Sequence, residues 1–283
     1  MDTVAIHGHT LNFLKPVIMG VINVTPDSFF DGGAYFDASR AIDAGFEMMN
    51  LGAHILDIGG ESTRPGSTSV DTEEELRRVI PVIHALSDAG FPVSIDTMKS
   101  TVARIALEAG AFMVNDVSGG NFDPEIISVA DDFGAGFVVG HMRGLPENMQ
   151  STINFKDVIT EVAEELALTV QKCKVAGIPT SRIFVDPGIG FGKTALQSAL
   201  LTGSGRIISE RCGCHVLIGP SNKSFIGKIS GAEVTDRLPG TISSCIMGWI
   251  SGAKIFRVHD VTAVKQAFDI AEEIYPAYKL CLE

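Results

Sequence analysis

Residues 16–23, PVIMGVIN, form an almost unbroken apolar run that stops at a polar residue, Asn23. The design recurs seven more times, in HILDIGGES (54–62), PVSIDT (92–97), FMVNDVS (112–118), GFVVGHMR (136–143), RIFVDPG (182–188), HVLIGPSNKS (215–224) and KIFRVHD (254–260). Near-continuous apolarity is what parallel strands buried on both faces require. Helix-like stretches separate the runs, so an α/β chain closing as a parallel (β/α)8 barrel is predicted. In that fold the C-terminal strand ends open on one mouth. Asn23, Asp57, Asp96, Asn115, His141, Asp186, Ser221, Lys223, Arg257 and His259 would then meet in one pocket.

Length and composition agree with one barrel. The chain has 283 residues, and about 250 is usual for the fold. No low-complexity tract or charge block interrupts the alternation, so residues 1–283 are read as a single domain. Residues 1–15 stand apart: their TLNF alternation suggests a short ribbon over the barrel's closed end. The net charge of −12 argues against a nucleic-acid surface. No run is long enough to span a membrane, and the start lacks a signal-peptide pattern. Five cysteines without a paired spacing suit reduced thiols and a cytoplasmic setting. Cys212-x-Cys214-His215 lacks the second ligand pair that a zinc site needs.

Helix boundaries follow from caps and glycines. Asp37 is expected to cap residues 38–50, closed by Gly52. Asp71 or Thr72 should open the next helix, ending near Gly90. Shorter helices are expected over 99–110 and 123–134, a long one over 155–177, then others near 195–210, 237–252 and 261–275. Two strand-to-helix connections, 25–35 and 59–70, are long and glycine-rich, as binding loops often are.

Several strand ends carry chemistry. The two-residue period puts Ile255, Arg257 and His259 on one face. Such a pair suits a phosphate or carboxylate, or else Arg257 forms a structural ion pair with a neighbouring acid. Asp96, Asn115 and Asp186 end three different strands. Carboxylates and an amide suit the N–H-rich edge of a flat heterocycle such as a pterin or purine, with magnesium binding as the competing reading. DPGIGFGK (186–193) is one residue short of a P-loop, so its glycines point to close backbone approach and Phe191 to an exposed aromatic wall. SNKS (221–224) sets a hydroxyl, an amide and an ammonium beside a helix N-terminus, an arrangement suited to an anion. His141 is a further candidate. His7, His9, His54, His84 and His215 have no supporting pattern.

Together VINVTPDSFFDGG (21–33), LDIGGESTRPG (56–66), SIDT, NDVSGG, DPGIGFGK, SNKSFIG and FRVHD resemble the dihydropteroate synthases, over roughly residues 17–261. The resemblance implies a TIM (β/α)8 barrel, a homodimer, magnesium as cofactor and sulfonamides as inhibitors. It implies the joining of p-aminobenzoate to 6-hydroxymethyl-7,8-dihydropterin diphosphate. By position, Asn23 matches the residue at the metal and diphosphate, and Arg64, Arg257 and His259 match diphosphate contacts. Asp96, Asn115, Asp186 and Lys223 match the pterin pocket, which Arg257 flanks. Thr63, Pro65, Phe191 and Ser221 match the p-aminobenzoate region, with Phe29 and Asp31 in the loop that closes over it. Two positions depart from the family. Asn222 stands where Arg is frequent, which puts a second cation near the p-aminobenzoate carboxylate in question. Gly140 stands where Met is frequent, which is expected to loosen packing against the pterin. A pterin-binding methyltransferase barrel and a silent pterin-binding paralogue are the competing readings. TPDSFFDGG and ESTRPGS speak against the first, and the presence of Asn23, Arg64, Lys223 and His259 against the second.

Overall fold

A computed structural model describes residues 2–25, 34–62, 69–144, 149 and 153–280. Phe29, Asp31, Thr63, Arg64 and Pro65 lie outside them. Strands β1 (Thr3–Ile6) and β2 (His9–Asn12) pair antiparallel as the expected ribbon. Eight parallel strands then close a barrel: β3 (Val17–Asn23), β4 (Ile55–Gly59), β5 (Val93–Asp96), β6 (Met113–Asp116), β7 (Gly136–Gly140), β8 (Ile183–Asp186), β9 (His215–Ile218) and β10 (Ile255–Val258). They neighbour one another in chain order, and β10 returns to pair with β3.

Side-chain alternation explains both the stability and the site. Ile18, Leu56, Ile95, Val114, Val139, Val185, Ile218 and Phe256 point outward into the layer beneath the helices. Val17, Met19, Ile55, Met113, Val138, Phe184, Leu217 and Ile255 point inward, where Val4, Ile6, Leu11 and Phe13 of the ribbon seal them from below. One inward step further along their strands come Asp57, Asn115, Asp186 and Arg257, with Asp96 at the matching level of β5. The barrel axis therefore passes from an apolar plug to a polar mouth.

The helices are α1 (Ala34–Asn50), α2 (Thr72–Asp88), α3 (Ser100–Glu108), α4 (Glu125–Asp132), α5 (Val158–Ala176), α6 (Ala195–Thr202), α7 (Gly205–Cys212), α8 (Ser224–Ser230), α9 (Leu238–Ile250) and α10 (Val261–Leu280). Asp71 caps α2 by accepting from the Glu74 amide, and Asp157 caps α5. Three boundaries differ from expectation. Helix α1 starts at Ala34, so Asp37 lies inside it and not before it. The stretch near 195–210 is two helices, α6 and α7, parted at Gly203 and Ser204. Helix α10 runs on to Leu280, through Pro276.

Gly140 lies close against the chain after β6. A Cβ there would lie 2.4 Å from Val117 Cα and 2.6 Å from Asp116 O. The backbone after β6 thus presses directly on this position. Glycine permits this close approach, and a methionine would displace that backbone.

Candidate active site

Arg257 organises the mouth. Its Nε donates to Asp57 Oδ2 at 2.5 Å and one terminal nitrogen donates to Asp96 Oδ2 at 2.6 Å. The structural ion pair left open by the sequence is therefore present, and it ties β10 to β4 and β5 across the barrel. The nearby carboxylates hold the guanidinium firmly charged against its burial. Gly219, at the inward position of the neighbouring chain, leaves room for the arginine stem: a Cβ there would touch Arg257 Cβ at 3.7 Å.

Asn115 donates from Nδ2 to Asp57 Oδ2 at 3.0 Å, so Asp57 receives both Arg257 and Asn115 on one oxygen. Among the described residues, Asp57 Oδ1 and Asp96 Oδ1 are buried with no hydrogen-bond partner. Buried acceptors are rarely left so. Burial raises the Asp96 pKa to about 7, against the pull of Arg257. Asp186 is also raised by burial; its Oδ1 accepts from the Gly188 amide at 2.7 Å, while Lys223 and Arg257 draw its charge the other way.

Asp57, which the sequence placed at the mouth without a role, is the acceptor that Arg257 and Asn115 share. The signal was present: an acid inside ILDIG, otherwise apolar, must be paired when buried. Its partner stands 200 positions away, beyond any local pattern.

The other predicted residues divide between this pocket and its rim. Asn23 ends β3, half-buried, paired in register with Gly59. A Cβ on Gly59 would lie 3.8 Å from Asn23 Oδ1 and 3.6 Å from Asp96 Oδ2, so both oxygens border the same glycine. Ser221 Oγ is 2.9 Å from His259 Nδ1 and accepts from the His259 amide at 3.2 Å, which joins the loops after β9 and β10. His259 is exposed beyond the end of β10. Phe191 is half-buried, not an exposed wall, and Lys223 Nζ sits 4.0 Å from its ring centroid, a cation–π contact.

Asn222 has φ of +56°, left-handed backbone that asparagine tolerates better than most residues. Its amide donates to Thr241 Oγ1 and its carbonyl accepts from Arg237 Nη1 at 3.1 Å. His141 is not at the pocket surface. It is buried between Glu165 and Lys193. The cysteine cluster is inert: burial pushes the Cys212 thiol to about 12 and the Cys214 thiol to about 11.

The mouth can thus hold the donor-rich edge of a planar ligand on carboxylates and an amide. Arg257, Lys223 and His259 add cationic or proton-donating groups along one side.

Comparison with known proteins agrees. The sequence model of the pterin binding enzyme family matches residues 19–259. A dihydropteroate synthase of Synechocystis sp. is 44% identical over 265 residues, covering 92% of this chain and 91% of that protein. The Xanthomonas albilineans dihydropteroate synthase solved with 4-aminobenzoic acid superposes with a TM-score of 0.90 at 37% identity, covering 97% of this chain and 98% of that one. The same enzyme in complex with 7,8-dihydropteroate gives 0.87 at 35% identity, over 96% and 98%. An eight-stranded barrel with this polar mouth, in a chain this similar over nearly its whole length, belongs to the dihydropteroate synthases of the pterin binding enzyme family.

Proposed function

We propose that this chain condenses p-aminobenzoate with 6-hydroxymethyl-7,8-dihydropterin diphosphate, giving 7,8-dihydropteroate and diphosphate for folate synthesis. The observation that carries the reading is the unpartnered Oδ1 of Asp96, beside Asn115, Asp57 and Arg257 at the barrel mouth. The N–H groups of a pterin edge would supply the donor that Asp96 Oδ1 lacks, and Asp186 would add a second carboxylate acceptor. Asn115 adds a group that both donates and accepts.

The chemistry is the breaking of a carbon–oxygen bond at the pterin methylene and the making of a carbon–nitrogen bond to the arylamine. Negative charge grows on the departing diphosphate. Arg257, His259 and, from outside the described residues, Arg64 would stabilise it. The arylamine is neutral at pH 7, so attack needs no strong base, and its surplus proton is lost once the new bond has formed. Catalysis is then mostly positioning and leaving-group stabilisation. Lys223 would meet the pterin, and the Phe191 ring on which its ammonium sits would border the aryl ring, with Ser221, Thr63, Pro65 and Phe29 completing that region. Sulfonamides, which share the p-aminobenzoate shape, would compete there.

Magnesium fits as the counter-ion of the diphosphate. Asn23 offers a neutral amide oxygen, a donor that a hard cation accepts. Among the described residues no three His, Cys, Asp or Glu side chains gather as a metal site. Asn23 would hold the ion, and when bound it would draw negative charge from the leaving group.

A homodimer is proposed from exposed Leu196 and Leu200 on α6, Met247 on α9 and Ile270 and Ile274 on α10. The cytoplasmic setting is proposed from the free, buried Cys173, Cys212, Cys214 and Cys245. Among the described residues no helix is long and apolar enough to cross a membrane.

The test is diphosphate release by purified protein given the pterin diphosphate, magnesium and p-aminobenzoate, each omitted in turn. Release coupled to dihydropteroate, requiring all three, is expected. Pterin binding without release in folded protein would instead mark a silent pterin-binding paralogue.

A further inference from the structure

Lys193 carries a buried ammonium that none of the steps above uses; the residue is 4% exposed. Burial lowers its pKa to about 7. A buried cation is costly unless its protons are well placed, so its acceptors show what it holds. Nζ donates to Phe191 O at 2.8 Å and to His141 O at 3.2 Å, and lies 3.0 Å from His141 Nδ1. His141 Nε2 in turn meets Glu165 Oε2 at 2.9 Å. With an ammonium donating to Nδ1, the imidazole is neutral and gives its own proton to Glu165. That carboxylate also receives Arg143, and these bonds hold its pKa down to about 2. The cation is thus linked to α5 at one end and to the loop after β8 at the other.

That loop needs an external hold. Gly188, Gly190 and Gly192 have φ of +67°, +85° and +60°. Glycine enters this region freely, but the same freedom means that backbone preference does not fix what lies between. Phe191 sits between two of these glycines. Its amide donates to Gly188 O at 3.0 Å, closing a turn, and its carbonyl is taken by Lys193. Gly188 packs hard on the loop after β7: a Cβ there would lie 1.9 Å from His141 O. Lys193 bonds that same carbonyl, so the ammonium is the polar bridge where the two loops touch.

We propose that Lys193 is a positioning residue for p-aminobenzoate: by tethering the Phe191 carbonyl to the His141 carbonyl and ring, it fixes the Phe191 ring against which the aryl substrate packs. This rests on Phe191 bordering that substrate. Lys193 acts through Phe191 and touches neither reactant.

The test is steady-state kinetics on wild type, Lys193→Met, Lys193→Gln, Phe191→Ala and the Lys193→Met/Phe191→Ala double variant, each melted thermally to establish folding. In Lys193→Met the KM for p-aminobenzoate should rise about tenfold, while the KM for the pterin diphosphate moves less than about threefold. Lys193→Gln, which keeps a donor, should recover part of the loss. In the Phe191→Ala background the second substitution should add less than about threefold, because residues acting as a unit are not additive. A raised KM for p-aminobenzoate in Phe191→Ala with an unchanged value in folded Lys193→Met overturns the tether alone. An unchanged value in Phe191→Ala removes the wall itself, and the proposal with it. Equal rises for both substrates, or neither Lys193 variant folding, would assign Lys193 to the fold and also overturn it.

Discussion

Asp96 carries opposing forces that set a measurable pH dependence. Burial disfavours its charge and Arg257 favours it, and the balance leaves the pKa at about 7. A pterin edge needs an ionised acceptor, since a protonated carboxyl turns one acceptor into a donor. Affinity for a pterin ligand should therefore rise as pH increases through about 7. It should be weak and nearly flat across that range in Asp96→Asn. Titrations at pH 6 and pH 8 check this, and equal wild-type affinities would contradict it. The stability sign is the reverse. Between the ordinary 3.8 and about 7 the folded protein holds a proton that the unfolded chain has lost, so this group's contribution falls as pH rises through that window. His259 is exposed and bonded to Ser221, which places it at the rim, away from the buried carboxylates. His259→Ala should thus cut kcat by about tenfold or more and leave pterin affinity within about threefold. Single-turnover rates and a binding titration separate the two effects.

Elements were legible where their signals are local. Asp71 caps α2 through the amide three residues on, and its sequence position announced it; Asp157 caps α5 through amides two and three residues on, inside a stretch read as helical from 155. The start of α3 is different. Its Ser100 amide donates to Asp123 Oδ2, an acid 23 residues further on that looked only like the opening of the next helix. Gly140 shows the same limit more sharply. The sequence presents a missing side chain, while the fold shows the Val117 backbone occupying the space where one would be. Gly140→Ala should accordingly destabilise the barrel by about 1–3 kcal/mol, the usual cost of overpacking. Chemical denaturation measures it. A variant as stable as wild type would mean that the chain after β6 yields easily.

Across the whole molecule, eight apolar runs with polar ends were enough to imply the closed barrel, because burial on both faces dictates their composition. The pocket was legible only in part. Asp96, Asn115, Asp186 and Arg257 stand at strand ends and could be read as ligands, but the role of Asp57, also placed at the mouth, rests on a bond between residues 200 positions apart. Closure of β10 on β3 brings Arg257 to Asp57 and Asp96, and that closure is a property of no single segment. The same convergence brings Asp186, from β8, into the field of Arg257 and Lys223. The central claim is that carboxylates gathered from separate strands hold the pterin. Its most direct test is calorimetric titration of 6-hydroxymethylpterin into wild type and Asp186→Asn at pH 8, with folding checked by circular dichroism. Exchanging the carboxylate for an amide should turn an acceptor into a donor facing donors, costing about 2–4 kcal/mol of binding. Wild-type affinity in the folded variant would contradict the account.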